Sequence, residues 1–82
     1  RELVARNINW ISGRPPAGGF PLRCEARIRY RQPLQPCWLK KLPATSYTLQ
    51  AVFDSPQRAV TPGQSVAFYQ GDELLGGGII MR

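Results

Sequence analysis

Four arginines lie close together in one short stretch of the sequence: Arg23, Arg27, Arg29 and Arg31. The first three alternate with apolar residues and therefore share one face of a predicted strand, while Arg31 follows the strand's end. Side chains on one strand face are about 6.5–7 Å apart, and arginine binds phosphate oxygens through paired N–H donors. Such a face can follow a nucleic-acid backbone, so we expect these arginines to contact phosphates.

Tyr30 lies between Arg29 and Arg31, and Gln32 follows directly. A tyrosine at the rim of a small domain can stack on an unpaired base or a ribose. The alternative is a solvent-facing arginine surface, paired in part with Glu25, with Tyr30 in the core. The residue types alone leave both interpretations open.

The remaining reactive side chains do not predict catalysis. The sequence contains no histidine, so its four serines lack the commonest activating base, and its five carboxylates include no evident acid–base pair. Two cysteines, Cys24 and Cys37, cannot by themselves complete a structural zinc site, and their spacing is wrong for a redox motif. We expect no catalytic residue, no metal and no bound cofactor. We favour free thiols in a reducing cytoplasm, with one disulfide as the alternative.

Charge and length restrict the class of protein. The 82 residues carry a net charge of +6, and residues 1–41 hold nine of the eleven cations. This imbalance predicts an anionic partner, with nucleic acid first and acidic lipid or protein next. A chain of this size forms one domain with a thin core, and no apolar run is long enough to span a membrane. Because it opens in mid-pattern without a methionine, we expect it to be part of a longer protein.

Six breaks rich in proline and glycine leave no room for a helix of several turns. The segments between them alternate as strands do, most clearly over Leu22–Tyr30. A weaker first strand would place Val4, Ile8 and Trp10 on one face, with Arg6 as the exception. The other predicted strands are Pro36–Leu42, Tyr47–Phe53, Ser65–Tyr69 and Leu74–Met81. Six short strands at this spacing predict an all-β fold, a small antiparallel six-stranded barrel spanning residues 1–82.

Three further features indicate structural roles more than chemistry. Gly76-Gly77-Gly78 lacks the lysine and the helix of a phosphate loop, so we expect close approach of another strand or a bulge. Trp10 and Trp38 are interpreted as core residues, with an exposed stacking role as the alternative. Thr61-Pro62-Gly63-Gln64 has the residue order of a type II turn.

Several motifs together closely resemble the C-terminal segment of the bacterial tRNA-specific 2-thiouridylases, the MnmA family. They are Asn9–Gly13 with Pro15-Pro16, Arg29-Tyr30-Arg31-Gln32, Pro36-Cys37, Val52–Tyr69 and Leu75–Ile80. The resemblance covers nearly the whole chain. It implies a barrel similar to those of translation elongation factors, and a tRNA-contacting pair at Arg29-Tyr30. One departure is the stretch Trp38–Gln50, which is less acidic than the corresponding hairpin of the family.

The resemblance also implies what the rest of such an enzyme does. An absent N-terminal domain binds ATP and carries the catalytic cysteines, a central domain follows, and a persulfide donor protein supplies the sulfur. The product is a wobble uridine with sulfur at position 2. We therefore expect a tRNA-binding domain that positions tRNA for the parent's catalytic domain. The alternatives are a structural lid on that domain and a protein-interaction barrel that docks the sulfur donor.

Overall fold

The computed structural model describes residues 1–28, 32–42, 48–58 and 60–82. Six β-strands make up its regular structure. They are β1 (Glu2–Trp10), β2 (Leu22–Arg27), β3 (Gln35–Lys41), β4 (Leu49–Phe53), β5 (Ser65–Gln70) and β6 (Glu73–Ile80). Within these ranges no helix is long and apolar enough to cross a membrane.

The strands form a closed barrel in the order β1-β4-β3-β2-β5-β6, with every neighbouring pair antiparallel. Closure gives each of these six strands two hydrogen-bonded neighbours, so none of them is left as an exposed sheet edge. The predicted all-β, six-stranded antiparallel barrel is confirmed.

Alternating side chains fill the barrel interior. On β2, Leu22, Cys24 and Ala26 are buried, and the residues between them face outward, as the period of two predicts. β2 ends at Arg27 and Ile28 lies in a bend, so this strand is shorter than the predicted Leu22–Tyr30. The core is completed by apolar residues from the other five strands: Leu3, Ala5, Cys37, Leu39, Leu49, Ala51, Phe53, Val66, Phe68 and Ile80.

β1 changes its inward face part-way along its length. Leu3 and Ala5 point into the core, whereas further along Ile8 and Trp10 pack against it. The change occurs at a bulge between Arg6 and Asn9, where Asn7 has a φ of 53°. An extra residue in one strand shifts the alternation by one position. The single face predicted for the whole strand was therefore wrong, and the bulge explains why Arg6 did not fit the apolar pattern.

The three consecutive glycines lie in β6 and pack directly against neighbouring backbone. A Cβ on Gly76 would lie 2.3 Å from the carbonyl oxygen of Asn9 on β1, and one on Gly77 would lie 2.6 Å from that of Val66 on β5. Only glycine permits these approaches on both sides of the strand. The prediction that these glycines serve strand packing is confirmed.

The turn before β5 has the predicted geometry. Gly63 has a φ of 92°, and the backbone N–H of Gln64 donates a hydrogen bond to the carbonyl of Thr61 at 3.2 Å. A type II turn requires a positive φ at its third residue, which glycine adopts without steric cost.

Candidate nucleic-acid interface

The outward side chains of β2 and β3, with the side chains packed on them, form one surface that we call the β2–β3 face. Arg23, Glu25 and Arg27 project from β2 onto this face, because Cys24 and Ala26 point into the barrel. The predicted contacts Arg29, Tyr30 and Arg31 lie outside the described residues. The structure thus brings together the first two arginines of the predicted stripe.

Arg23 forms a paired interaction with a carboxylate. Its two terminal nitrogens donate hydrogen bonds to the two Asp54 carboxylate oxygens, at 2.8 and 2.5 Å. Its guanidinium also lies 5.4 Å from the ring centroid of Trp38, a cation–π contact. Both members of the ion pair remain well exposed, at 44% and 47% of the side-chain surface. The carboxylate that meets Arg23 is therefore Asp54 and not Glu25, which the solvent-surface alternative had considered.

This pairing changes the ionisation of both groups. Hydrogen bonds from Arg23 hold the pKa of the Asp54 carboxyl below its ordinary value, and the same contact raises the pKa of Arg23. Both groups are charged at neutral pH as a result. A phosphate that binds Arg23 must therefore displace or share the guanidinium with Asp54.

Arg27 is held by an aromatic side chain from β5. Its Nη2 donates a hydrogen bond to the Tyr69 hydroxyl at 2.9 Å, and its guanidinium lies 5.2 Å from the centroid of the same ring. Neither contact cancels the positive charge, since the hydroxyl and the ring are both neutral. Arg27 is thus a cation held in a fixed position on the β2–β3 face.

Gln32 takes part in a side-chain network at one end of the barrel. Its Oε1 accepts a hydrogen bond from the backbone N–H of Ile28 at 2.9 Å, and its Nε2 donates to Oε1 of Gln57 at 3.0 Å. Gln57 in turn donates to Oε1 of Gln35 at 3.4 Å. The first of these bonds joins Ile28 to Gln32, the two flanks of residues 29–31. Gln32, predicted to contact tRNA, is placed where it can fix the chain on both sides of the arginine–tyrosine motif.

β3 adds two residues that the sequence reasoning did not assign to the interface. Trp38 is 42% exposed and lies beside Arg23, so its core interpretation was wrong, whereas Trp10 does pack against the core. Lys40 is also exposed and is two residues further along the same strand. The alternation of Cys37 and Leu39, both buried, was the signal that could have placed Trp38 and Lys40 outside.

Metal binding and thiol reactivity can be assessed for the described residues. Among them, no group of three or more histidine, cysteine or carboxylate side chains could hold a metal ion. Cys24 and Cys37 face each other across β2 and β3 inside the barrel, with their sulfurs 3.8 Å apart, as free thiols. The hydrogen bond between them and their burial raise the pKa of Cys24 well above the ordinary thiol value. A neutral, buried thiol is a poor nucleophile.

Comparison with known proteins gives this geometry a context. A family model described as the aminomethyltransferase beta-barrel domain matches residues 1–80. The chain belongs to that family. This aminomethyltransferase β-barrel domain is also similar to part of several enzymes named tRNA-specific 2-thiouridylase MnmA. The identity is 57% over 79 residues with the enzyme of Alkalilimnicola ehrlichii, covering 95% of this chain and 20% of that protein.

Two further relatives give the same result. The identity is 51% over 80 residues with the Marinobacter nauticus enzyme, and 53% over 81 residues with that of Burkholderia mallei. Each alignment covers 98% of this β-barrel domain and 19% or 21% of the relative. The domain thus spans about one-fifth of the length of these curated relatives. The resemblance to the C-terminal barrel of tRNA-specific 2-thiouridylases is confirmed.

Proposed function

We propose that this domain binds tRNA and positions it for a 2-thiouridylase that inserts sulfur at position 2 of the wobble uridine. The observation that carries the proposal is the placement of Arg23 and Arg27 on one outer strand face, directly before Arg29-Tyr30-Arg31-Gln32. The names of the relatives agree with it, since each is called tRNA-specific. The rest of the parent enzyme would supply the chemistry.

The role of the domain is positioning. Cations on the β2–β3 face neutralise phosphates, Tyr30 packs beside a base or ribose, and the tRNA is thereby held while the catalytic domain acts on it. Holding a substrate in place raises its effective concentration at a distant site without any reacting group nearby. In this account ATP and the persulfide sulfur donor are used by other parts of the parent enzyme, in the cytoplasm.

The two arginines of β2 make different contacts within the domain. Arg27 is oriented by Tyr69, and its charge is not cancelled by that hydroxyl. Arg23 already forms an ion pair with Asp54, so it can bind a phosphate only if the phosphate replaces the Asp54 carboxylate. Because the ion pair is exposed to water, this exchange is weakly opposed. Asp54 would therefore reduce, without abolishing, the contribution of Arg23.

A second candidate function is packing on the parent's catalytic domain. A shallow depression of about 320 Å³ lies over the glycines of β6, between β1 and β5. Ile11 and Leu74 line it and are 63% and 40% exposed. Exposed apolar residues of this size beside a flat backbone floor suit contact with another protein surface. This surface is separate from the β2–β3 face, so the two functions are compatible.

Variants of the arginine–tyrosine motif test the proposal. We expect Arg29→Ala to weaken binding of a labelled tRNA that bears the wobble uridine, and to reduce the salt dependence of log K by about 0.7–0.9. Tyr30→Ala should weaken binding with little change in that slope, because stacking releases few counterions. Arg6→Ala, an exposed cation on β1, is the matched control. If all three variants bind equally, the motif is not the tRNA site.

A further inference from the structure

A cavity lies at one end of the barrel, between the loop that precedes β2 and the end of β3. Its volume is about 450 Å³, and it is largely open to solvent. Its described lining consists of two lysines and a mainly apolar wall: Pro15, Gly19, Phe20, Pro21, Lys40 and Lys41. We call this the dilysine cavity. No acidic residue is among the described residues that line it.

The walls of the cavity are fixed by packing. The Phe20 ring lies 6.2 Å from the Trp10 ring, centroid to centroid, at a tilt of 44°, and both rings pack against the core. The ammonium of Lys41 lies 5.5 Å from the centroid of Phe20. This cation–π contact orients the lysine while leaving its charge uncompensated. Lys41 is thereby positioned at the edge of a rigid apolar wall.

The charge of the cavity has no partner within the described part of the chain. Neither Lys40 nor Lys41 forms an ion pair there, in contrast to Arg23, which is paired with Asp54. Lys40 and Lys41 are adjacent in sequence and both are exposed. Both lysines line the same cavity, so an anion bound there is attracted by two positive charges.

The cavity is continuous with the β2–β3 face. Lys40 and Trp38 share the outer side of β3 and are about 6.5–7 Å apart along the strand. An RNA strand that follows Arg27 and Arg23 past Trp38 would next reach the two lysines. This path connects the cavity to the cations already assigned to tRNA.

We infer that the dilysine cavity binds one nucleotide of an RNA strand. Lys40 and Lys41 neutralise its phosphate, and the proline and phenylalanine wall contacts its ribose and base. A nucleotide combines an anion with a flat, partly apolar ring, which matches the two kinds of lining. The inference rests on the proposed tRNA binding and adds a site to it, at residues that the arginine–tyrosine motif does not include.

The test replaces both lysines in the 82-residue protein. We expect Lys40→Ala/Lys41→Ala to weaken tRNA binding and to lower the salt dependence of log K by about 0.7–0.9 for each phosphate that is no longer neutralised. Arg6→Ala/Arg82→Ala also removes two positive charges, from exposed positions on or near β1, and should change the salt dependence of log K less. Thermal unfolding of both variants checks that each is folded.

The outcomes separate the two proposals. If the unsubstituted protein binds tRNA and the dilysine variant binds it equally well, the cavity inference is overturned and tRNA binding stands. If the unsubstituted protein does not bind tRNA, the proposed function is overturned, and the cavity inference with it. If both double variants reduce the salt dependence of log K equally, the loss reflects net charge and not this site. That result also overturns the inference.

A spectroscopic readout locates the site directly. Uridine 5′-monophosphate added to ¹⁵N-labelled protein should shift the backbone amides of Gly19, Phe20, Lys40 and Lys41, and should not do so in the dilysine variant. An oligoglutamate peptide serves as the acidic-protein probe. Equal shifts from that peptide would assign the cavity to acidic protein and overturn the nucleotide inference, as would shifts confined to other parts of the barrel.

Discussion

Arg23 on β2 and Asp54, the residue after β4, are joined by a bidentate ion pair across the intervening strand β3. The two residues are 31 positions apart in the sequence, and the barrel order alone brings them together. The pair partly neutralises the arginine stripe from within the domain. Arg27, by comparison, donates a hydrogen bond to the Tyr69 hydroxyl.

Removing the carboxylate should strengthen RNA binding. Asp54→Asn leaves a side chain of similar shape but no negative charge, so Arg23 becomes free to bind a phosphate. We predict tighter tRNA binding, with a salt dependence of log K steeper by about 0.7–0.9. Titrations at several salt concentrations measure both quantities. Asp72→Asn, in the β5–β6 turn, is the control for a general change in net charge. An equal gain in both variants would remove Arg23 from the interface.

The Gln32–Gln57 contact separates direct binding from positioning. If Gln32 acts by fixing the flanks of residues 29–31, Gln57→Ala should weaken tRNA binding as Gln32→Ala does, because it removes the shared hydrogen bond. The predicted loss is about 0.5–1.5 kcal/mol for Gln57→Ala, the net value of the shared bond, and larger for Gln32→Ala, which also loses the bond to Ile28. A double-mutant cycle should then show that the two losses are not additive. A loss confined to Gln32→Ala would instead indicate that Gln32 contacts tRNA itself.

Regular alternation made most of the fold predictable. β2 and β4 were identified from residues such as Cys24 and Phe53, whose burial follows the period of two. The inward face of β1 was not predictable, since a bulge at Asn7 shifts the alternation by one residue. A single sequence does not reveal such a bulge, because its partner, the glycine run of β6, lies about 70 positions away along the chain.

The candidate site was predictable only for residues of a single strand. The alternation of β2 was enough to place Arg23 and Arg27 on one outer face. The ion pair with Asp54, the contact of Arg27 with Tyr69 and the dilysine cavity all depend on strand order and loop path. Trp38 was misassigned because a large aromatic residue is usually buried, while here its strand neighbours Cys37 and Leu39 occupy the interior.

Substitution of a β6 glycine should destabilise the barrel through a backbone clash. Gly77→Ala places a Cβ 2.6 Å from the carbonyl oxygen of Val66, and the strand cannot shift without breaking its ladder with β5. We predict a loss of about 2–3 kcal/mol in the free energy of unfolding. Gly13→Ala is the control, since it meets open space and bears only the cost of a positive φ, about 1 kcal/mol. Chemical denaturation measures both. A Gly77→Ala loss no larger than the control would contradict the close packing.

The two core thiols predict a loss of stability at alkaline pH. The pKa of Cys24 is raised in the folded protein, first by its hydrogen bond with Cys37 and then by burial. As pH rises above about 8.5, the unfolded chain releases this proton while the folded protein keeps it. The same hydrogen bond lowers the pKa of Cys37, so the folded pair keeps one proton that the unfolded chain releases. Folding is therefore disfavoured by about 1.4 kcal/mol per pH unit above that value.

Denaturant titrations between about pH 7.5 and 10 measure this effect, under conditions that keep the thiols reduced. Cys24→Ala/Cys37→Ala is the control, and its stability should vary less with pH over the alkaline range. The double variant is needed because either thiol left alone in the core would itself be desolvated. The same alkaline slope in the control would assign the effect to other groups.

We propose above all that this barrel binds tRNA through phosphate contacts on the β2–β3 face. The most direct measurement is a titration of the 82-residue protein with a labelled tRNA bearing the wobble uridine, at about 50 and 200 mM salt. We count about four phosphate contacts, one for each of Arg23, Arg27, Arg29 and Arg31. For that number we predict weak binding, with an affinity that falls about 50- to 150-fold between the two salt concentrations. No binding at either concentration would contradict the account and favour a domain that packs on the parent's catalytic domain.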